Sequence, residues 1–200
     1  MINTDYPAIR GKEQKKEKQM KNILVVSGHT DLNDSVTNKL ILETLQKQLP
    51  SAEFDFLDSL YPDFKIDVKA EQEKLIKADI IVLQFPVFWY SYPSLMHKWM
   101  EDVFVFGFSH GTGKALKDKT LVASLTSGAP EEIYQKNYTM EDLLAPLKQT
   151  AALCGMKWAG YVYTGGVSYA LRSVPEKRRE IEEKAVAHAQ KLIDKVNGLS

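Results

Sequence analysis

The stretch from Phe85 to Pro93 reads Phe-Pro-Val-Phe-Trp-Tyr-Ser-Tyr-Pro, which places five aromatic rings within nine residues. Rings at this density are unusual in a loop that faces water, because each ring exposes a large apolar area. An apolar wall with backbone N–H donors along its edge suits a flat, conjugated ligand. The same composition also fits a hydrophobic plug or a contact with another subunit. The first chemistry that the sequence predicts is therefore the stacking of a planar cofactor or substrate.

A second candidate segment, residues 27–38, joins an apolar run to a helical pattern and reads Ser-Gly-His-Thr-Asp-Leu-Asn-Asp-Ser-Val-Thr-Asn. The N–H groups and the dipole at the start of a helix favour an anion such as phosphate. Ser35, Thr37, Asn38 and His29 all carry side chains that can donate hydrogen bonds to it. Asn38 falls within the apolar arc of its own helix, so it is expected to have a polar partner. The alternative is that Ser35 only caps the helix and Asn38 bonds to neighbouring backbone.

A third segment, Thr126-Ser127-Gly128, begins a loop that continues to Tyr134. Small residues allow the backbone to approach a ligand closely, and successive N–H groups can bind its carbonyl edge. Taken alone, this pattern is more often an ordinary turn.

Residues 27–38 lack both the Gly-x-x-x-x-Gly-Lys-Ser/Thr motif of nucleotide triphosphatases and the Gly-x-Gly-x-x-Gly motif of dinucleotide folds.

Short apolar runs alternate with amphipathic segments along the chain. Strands are predicted at 23–26, 54–57, 79–85, 120–125 and 158–163, and helices at 36–49, 69–77, 93–106, 139–154 and from 173 onward. Continuous apolar strands separated by helices indicate a parallel sheet covered on both faces. Right-handed crossovers then favour the flavodoxin-like doubly wound α/β fold, a five-stranded parallel sheet of order 2-1-3-4-5 with helices on both faces. Ligands bind such sheets at the carboxyl ends of the strands, where all three candidate segments fall.

Composition excludes several classes of function. The chain has 200 residues, with 26 basic and 26 acidic side chains and one cysteine, Cys154. Balanced charge disfavours nucleic acid as a partner, and one cysteine excludes an internal disulfide or a cysteine-based zinc site. No metal site is predicted. No apolar run approaches the roughly 20 residues that a membrane helix needs, and a cytoplasmic protein is expected.

The first nineteen residues differ from the rest of the chain. They are rich in charge and show almost no apolar periodicity. Residues 1–19 are predicted to be a disordered extension or to result from an upstream start codon, with a short helix that packs on a partner as the alternative. Residues 20–200 are predicted to form a single flavodoxin-like domain.

Together, the three loops resemble a known family. The motifs Ser-Gly-His…Ser-x-x-Asn, Phe-Pro-Val-Phe-Trp-Tyr-Ser-x-Pro…Lys-Trp and Thr-Ser-Gly-x(5)-Tyr, in this order and spacing, are similar to those of the NAD(P)H:quinone oxidoreductase family. That family contains the DT-diaphorase-like flavoproteins and the ancillary subunits of glutathione-gated potassium efflux systems. The resemblance runs from about Lys21 to Lys195, and its specific part is the aromatic loop with the following Pro93 and Lys98-Trp99.

The resemblance implies a flavin site. FMN is favoured over FAD because the chain is short and has no C-terminal extension to hold an adenosine, and NAD(P)H is the implied co-substrate. The phosphate and ribityl end is expected at the first loop, the isoalloxazine at the aromatic loop, and the pyrimidine edge at the third loop. The implied cofactor-binding residues are His29, Ser35, Val36, Asn38, Pro86, Val87, Phe88, Trp89, Tyr90, Thr126, Ser127, Gly128 and Tyr134.

The implied activity is that of a flavin-dependent NAD(P)H dehydrogenase (quinone), which transfers two electrons as a hydride by a ping-pong mechanism. Tyr134 is the candidate catalytic residue, as a hydrogen-bond donor to the reduced ring or to the acceptor oxygen. The alternative is that Tyr134 only walls the pocket. Some relatives carry a histidine shortly after this tyrosine, whereas here no histidine occurs between His110 and His188, so the chain departs from that pattern.

Two kinds of partner are implied besides a quinone or similar small-molecule acceptor. A homodimer is expected through the helix at 93–106, whose apolar residues span about 180°, more than one sheet contact requires. The second implied partner is a membrane transporter. In that case the protein would be a flavin-binding regulatory subunit of a potassium efflux system. A third function, that of an electron-carrier flavodoxin, fits less well because flavodoxins are usually strongly acidic.

Overall fold

The computed structural model describes residues 21–199, so the expectation for residues 1–19 lies outside the described residues. Five strands form one parallel sheet with the order β2-β1-β3-β4-β5. The strands are β1 (Ile23–Ser27), β2 (Glu53–Phe56), β3 (Ile80–Pro86), β4 (Thr120–Thr126) and β5 (Lys157–Thr164). The flavodoxin-like α/β fold and the strand order predicted from the sequence are confirmed.

Helices cover both faces of this sheet. Within residues 21–199 they are α1 (Thr37–Gln48), α2 (Leu57–Leu60), α3 (Val68–Lys77), α4 (Ser94–Val103), α5 (Met140–Leu143), α6 (Ala145–Leu153) and α7 (Pro175–Leu199). Successive side chains of a strand point to opposite faces. Ile23 and Val25 therefore pack with α1 and α7, whereas Leu24 and Val26 pack in a second core with α2 to α6.

The helix predicted at 93–106 ends earlier, at Val103, and its apolar arc is covered within the chain. The expectation that this arc leaves a patch for a second copy is wrong, because α2, α3 and Tyr61 pack over it. The Gln72 side chain of α3 also donates to the Val103 carbonyl at 3.0 Å. The buried residues of the arc are Leu95, Met96, Trp99, Met100 and Val103. Only Phe106, beyond the helix, stays well exposed.

The helix predicted over 139–154 is divided into α5 and α6. Pro146 lies in the first turn of α6, where a residue without an N–H group is tolerated. Thr139 and Asp142 begin α5 with reciprocal bonds between side chain and backbone. The last helix starts at Pro175, two residues after its predicted start.

Candidate functional site

A pocket of about 450 Å³ opens at the carboxyl edge of the sheet. The loops after β1, β3 and β4 form its walls, together with a segment after β5. Gly28 fits at the end of β1 because a Cβ there would lie 2.5 Å from the Met96 side chain of α4. The structure brings ten of the predicted site residues to this pocket: His29, Ser35, Val36, Asn38, Pro86, Val87, Phe88, Thr126, Ser127 and Gly128.

One end of the pocket is the start of α1. Among residues 21–199, no group accepts a hydrogen bond from the N–H of Val36 or Thr37. The Ser35 hydroxyl oxygen accepts from the Asn38 N–H at 3.1 Å, so Ser35 does cap the first turn, as the alternative interpretation held. The free N–H groups and the helix dipole make this end suitable for a phosphate.

His29 lies beside this helix start as a neutral donor. Its Nδ1 accepts a hydrogen bond from the Asp31 N–H at 3.1 Å. Burial lowers the pKa of His29 below its usual value, although Asp58 and Asp31 act to raise it. A neutral imidazole that accepts at Nδ1 carries its proton on Nε2. The His29 ring therefore offers an N–H group, and its edge contacts Phe88 at a centroid distance of 6.1 Å.

Asn38 is buried and bonds to side chains of two strands rather than to neighbouring backbone. Its Oδ1 accepts from Gln84 Nε2 of β3 at 2.7 Å and from Thr126 Oγ1 of β4 at 3.0 Å. Its Nδ2 donates to Ser35 Oγ at 3.2 Å. The polar partner expected for an inward-facing asparagine is present, and it includes Gln84, which sequence reasoning missed.

The aromatic loop is a tight turn. Phe88 and Ser91 exchange two backbone hydrogen bonds, of 2.9 and 3.0 Å. Between them, Trp89 and Tyr90 have φ values of 49° and 65°, a left-handed region that side chains other than glycine seldom occupy. The Trp89 side chain is 94% exposed, and neither Trp89 nor Tyr90 lines the pocket. Their predicted contact with an isoalloxazine stays a prediction.

Tyr134 also lies apart from the pocket lining. It is buried in the core, where its ring meets Tyr163 edge-on at 5.8 Å. Nearer the pocket, the hydroxyls of Tyr163 and Ser127 are 2.7 Å apart. Burial raises the pKa of Tyr163 to about 12, so its hydroxyl stays protonated at neutral pH. The catalytic role predicted for Tyr134 stays a prediction.

A family model for proteins of flavodoxin-like fold matches residues 21–192. The chain belongs to this flavodoxin-like family. The glutathione-regulated potassium-efflux system ancillary protein KefG of Yersinia enterocolitica is 36% identical over 179 residues, which cover 87% of this chain and 94% of that protein. The resemblance drawn from the three loop motifs is confirmed.

Solved structures show the same fold. The general stress protein 14 of Treponema denticola, in complex with FMN, is 25% identical with a TM-score of 0.76 and covers 88% of this chain and 99% of its own. An NADPH-quinone reductase from P. pentosaceus is 22% identical with a TM-score of 0.69, covering 86% and 97% of the two chains. The second likeness shows the fold alone.

In this flavodoxin-like chain the segment after β5 also reaches the pocket, which sequence reasoning missed. Val167, Ser168, Tyr169 and Arg172 line it. The Arg172 guanidinium lies 3.3 Å over the Tyr169 ring and donates to Asp34 Oδ1 at 2.6 Å, which joins this segment to the first loop. The sequence did contain a signal for this segment. It follows a predicted strand, and the loops after parallel strands all lie at the same edge of the sheet.

The side chains of residues 21–199 contain no group of three His, Cys, Asp or Glu residues that could hold a metal ion. In the same range, every helix is too short or too polar to cross a membrane.

Proposed function

We propose that this protein is a flavin-dependent NAD(P)H oxidoreductase that reduces quinone-like acceptors by two-electron transfer, with FMN as its cofactor and the cytoplasm as its location. The observation that carries the proposal is the pocket itself. One end has the free N–H groups of Val36 and Thr37, and another wall is the apolar segment from Pro86 to Phe88. An FMN complex of a related flavodoxin-like protein supports the choice of cofactor.

The phosphate end of the cofactor would lie against the start of α1. The N–H groups of Val36 and Thr37, the Nε2–H of His29 and the second N–H of Asn38 are the donors available there. These donors are uncharged, and the Arg172 guanidinium that lines the same pocket is paired with Asp34. The phosphate dianion would therefore be held mainly by the N–H donors and the helix dipole, with Arg172 as the nearby positive charge.

The ring end would lie between the loops after β3 and β4. Pro86, Val87 and Phe88 provide the apolar wall. The N–H groups of Val87 and Phe88 already donate to Thr126 and Ser91 carbonyls. Within the described chain, the N–H group of Gly128, which lines the pocket, has no acceptor, and it is the donor left there for the polar edge of a flavin ring. The N–H groups of Trp89 and Tyr90 also have no acceptor, and they could reach only a ring that extends beyond the pocket to the adjoining turn.

When bound, FMN supplies the hydride chemistry, accepting from NAD(P)H and passing two electrons to an acceptor that takes the same place. The protein would orient the ring along the apolar wall and stabilise negative charge with N–H donors. Tyr134 is proposed as an additional hydroxyl donor. Tyr134→Phe tests this, because loss of one hydrogen-bond donor predicts about ten-fold slower turnover with the flavin content kept, whereas unchanged turnover would leave Tyr134 as packing only.

The experiment that tests the main proposal is a flavin assay on purified protein. We expect about one FMN per chain, bleaching of the yellow colour by NADH or NADPH, and turnover with a soluble quinone. Colourless protein that also fails to take up added FMN or FAD would contradict the proposal. Asn38→Leu should weaken FMN retention with the fold intact, while Asn33→Leu, at an exposed position of the same loop, should leave retention unchanged.

We also propose a homodimer, now on other residues than α4. Trp89 and Phe106 are 94% and 69% exposed, and exposed aromatic side chains of this size favour a contact between chains. Sedimentation at micromolar concentration tests this. A chain that sediments as a monomer at this concentration would contradict the proposed homodimer.

A second candidate function is that of a transporter subunit. The observation in its favour is the 36% identity with KefG over 94% of that protein, whose name describes an ancillary protein of a potassium-efflux system. Co-purification with a potassium/proton antiporter from the same source, and stimulation of potassium efflux by the added chain, would support it. Normal efflux without the chain would contradict it.

A further inference from the structure

Two buried donors meet on one oxygen beneath the pocket. Gln84 is 0% exposed in the middle of the sheet, and its Nε2 lies 2.7 Å from Asn38 Oδ1. The Thr126 hydroxyl lies 3.0 Å from the same oxygen. Gln84 belongs to β3 and Thr126 to β4, so two neighbouring strands fix one side chain of α1.

These two bonds determine which hydrogen-bonding group of the Asn38 amide is available to the pocket. An amide oxygen has two lone pairs, and both are occupied here. The amide nitrogen has two N–H groups, of which one donates to Ser35 Oγ at 3.2 Å. The other has no acceptor in the part of the chain that the structure describes. Asn38 therefore offers a donor, and no acceptor, to a ligand at the start of α1.

Gln84 itself is not placed for stability. Its Oε1 is buried and has no partner among residues 21–199, and the same holds for Ser27 Oγ. The two residues are direct neighbours in the β1–β3 register. A buried polar atom without a partner lowers stability, whereas an apolar side chain of similar length would not carry that cost. The amide of Gln84 is thus explained by its bond to Asn38.

We propose that Gln84 is a positioning residue for the anionic end of the cofactor, acting together with the Thr126 hydroxyl through Asn38. The ligand class is a phosphate monoester, and the inference rests on the proposed flavin function. Gln84 does not line the pocket and touches no ligand there. Its part is to prevent the Asn38 amide from turning its oxygen toward the phosphate.

The test compares FMN with riboflavin, which lacks the phosphate, by equilibrium dialysis. Gln84→Met should raise the Kd for FMN about five-fold, the size expected when one hydrogen-bond donor is no longer held in place, and should leave the Kd for riboflavin unchanged. The melting temperature of the flavin-free protein should stay about the same, because removal of the unpartnered Oε1 offsets the lost bond to Asn38, whose Oδ1 keeps the bond from Thr126. A merely structural role would lower it instead and weaken both ligands alike.

Four further variants test the positioning role without depending on Gln84→Met alone. Thr126→Val should weaken FMN binding, and Thr126→Ser, which keeps the hydroxyl, should restore it. Ser27→Ala removes the neighbouring unpartnered hydroxyl and should not change FMN binding. In the Asn38→Leu background, Gln84→Met should cause no additional loss, because its effect passes through Asn38.

The outcomes separate this inference from the proposed function. A wild-type chain that binds neither flavin overturns the proposed function. Wild-type binding with a weakened Asn38→Leu variant and an unaffected Gln84→Met variant overturns the positioning role alone. Losses that add in the double variant also overturn it.

Discussion

The two faces of the sheet bury polar groups in different ways. On the face covered by α1 and α7, His188 is 0% exposed and bonds to Ser124 Oγ at 2.8 Å and Thr164 Oγ1 at 2.9 Å. Burial lowers the pKa of His188 to about 4, with the charge of Lys191 acting in the same direction. This cluster, like the Asn38 and Gln84 pair on the same face, is neutral at pH 7.

The opposite face buries charge. Glu71 of α3 is 0% exposed and accepts from the Tyr61 hydroxyl, Lys74 Nζ and Trp99 Nε1, each at 2.7 Å. Although burial alone would raise the pKa of Glu71, these hydrogen bonds lower it below its usual value. Lys74 Nζ also lies 2.5 Å from Asp55 Oδ1 of β2.

Asp55 behaves in the opposite way to Glu71. Burial raises the pKa of Asp55 to about 7, and the negative charge of Glu71 adds to this while the bond from Lys74 opposes it. Its second carboxyl oxygen has no partner among residues 21–199. One lysine therefore serves two buried carboxyl groups, and the second carboxyl is left poorly compensated.

The two faces of the sheet also differ in their relation to the pocket. The neutral face borders the pocket that is proposed to hold the phosphate, whereas the charged face joins α3, α4 and β2 away from the pocket lining. Removing one partner from a neutral pair costs about 1 kcal/mol, whereas leaving a buried charge unpaired costs about 3–5 kcal/mol. Variants on the two faces should therefore differ in size of effect and in pH dependence.

The largest effect is expected for Glu71→Ala. It leaves two buried donors, the Tyr61 hydroxyl and Trp99 Nε1, without an acceptor, while Lys74 keeps its bond to Asp55. At about 1–3 kcal/mol for each orphaned donor, the free energy of unfolding should fall by about 2–6 kcal/mol. Urea denaturation at pH 7 measures this. Glu73→Ala, at an exposed position of the same helix, is the matched control and should change stability by less than about 0.5 kcal/mol. Equal effects of the two variants would remove the contrast between the faces.

A second prediction concerns Asp55→Asn and the pH dependence of stability. Because the pKa of Asp55 rises from 3.8 to about 7 on folding, the folded state binds more protons in this window. Its contribution is present below pH 3.8 and is lost as the pH rises through about 7. Asp55→Asn should remove this decline in stability. For one proton, the slope of the decline is at most about 1.4 kcal/mol per pH unit. Unfolding measured between pH 4.5 and 7.5 should then show stability that rises with pH.

The converse is expected for His188→Gln. The pKa of His188 falls from 6.5 to about 4 on folding, so its contribution is present above pH 6.5 and is lost as the pH falls through about 4. In this variant, stability should decline as the pH rises, because of Asp55. His29, whose pKa is also lowered, acts in the opposite direction and makes this decline shallower. In the double variant the two opposing slopes are gone and the profile should be flatter than in either single variant. Parallel profiles for wild type and both single variants would contradict the two assignments.

The smallest effect is expected for Ser124→Ala. It removes one of the two hydrogen-bond partners of His188, and stability should fall by about 1 kcal/mol. Because Ser124 does not line the pocket, FMN retention should be unchanged. A loss as large as that of Glu71→Ala would show that the neutral face is as sensitive as the charged one.

The sequence predicted the fold well because the physics of the sheet is local and repetitive. A run such as Ile23 to Val26 is apolar at every position, as a strand covered on both faces must be. The strand order then placed three loops at one edge, and most of the predicted site residues meet there. Gln84 could also have been found, since it is the one side chain with hydrogen-bonding groups in β3 and lies within an otherwise apolar run.

Other features depend on geometry that composition does not encode. The bond between Arg172 and Asp34 joins residues 138 positions apart, and no periodicity relates them. The wide apolar arc of α4 predicted an exposed face, but α2 and α3 lie over it. The direction of Trp89 follows from two successive left-handed residues, which a sequence rich in aromatic residues does not predict.

The turn that carries Trp89 also provides an intrinsic fluorescence probe. The three tryptophans lie at three depths: Trp99 is fully buried, Trp158 is half-buried, and Trp89 is 94% exposed on a turn closed by two backbone hydrogen bonds. A small neutral quencher in solution should therefore act most strongly on the red-shifted emission of Trp89, less on Trp158 and least on Trp99. Whatever comes to rest on the aromatic loop, whether a second chain or another protein, will shield this indole and change its fluorescence without any label being attached.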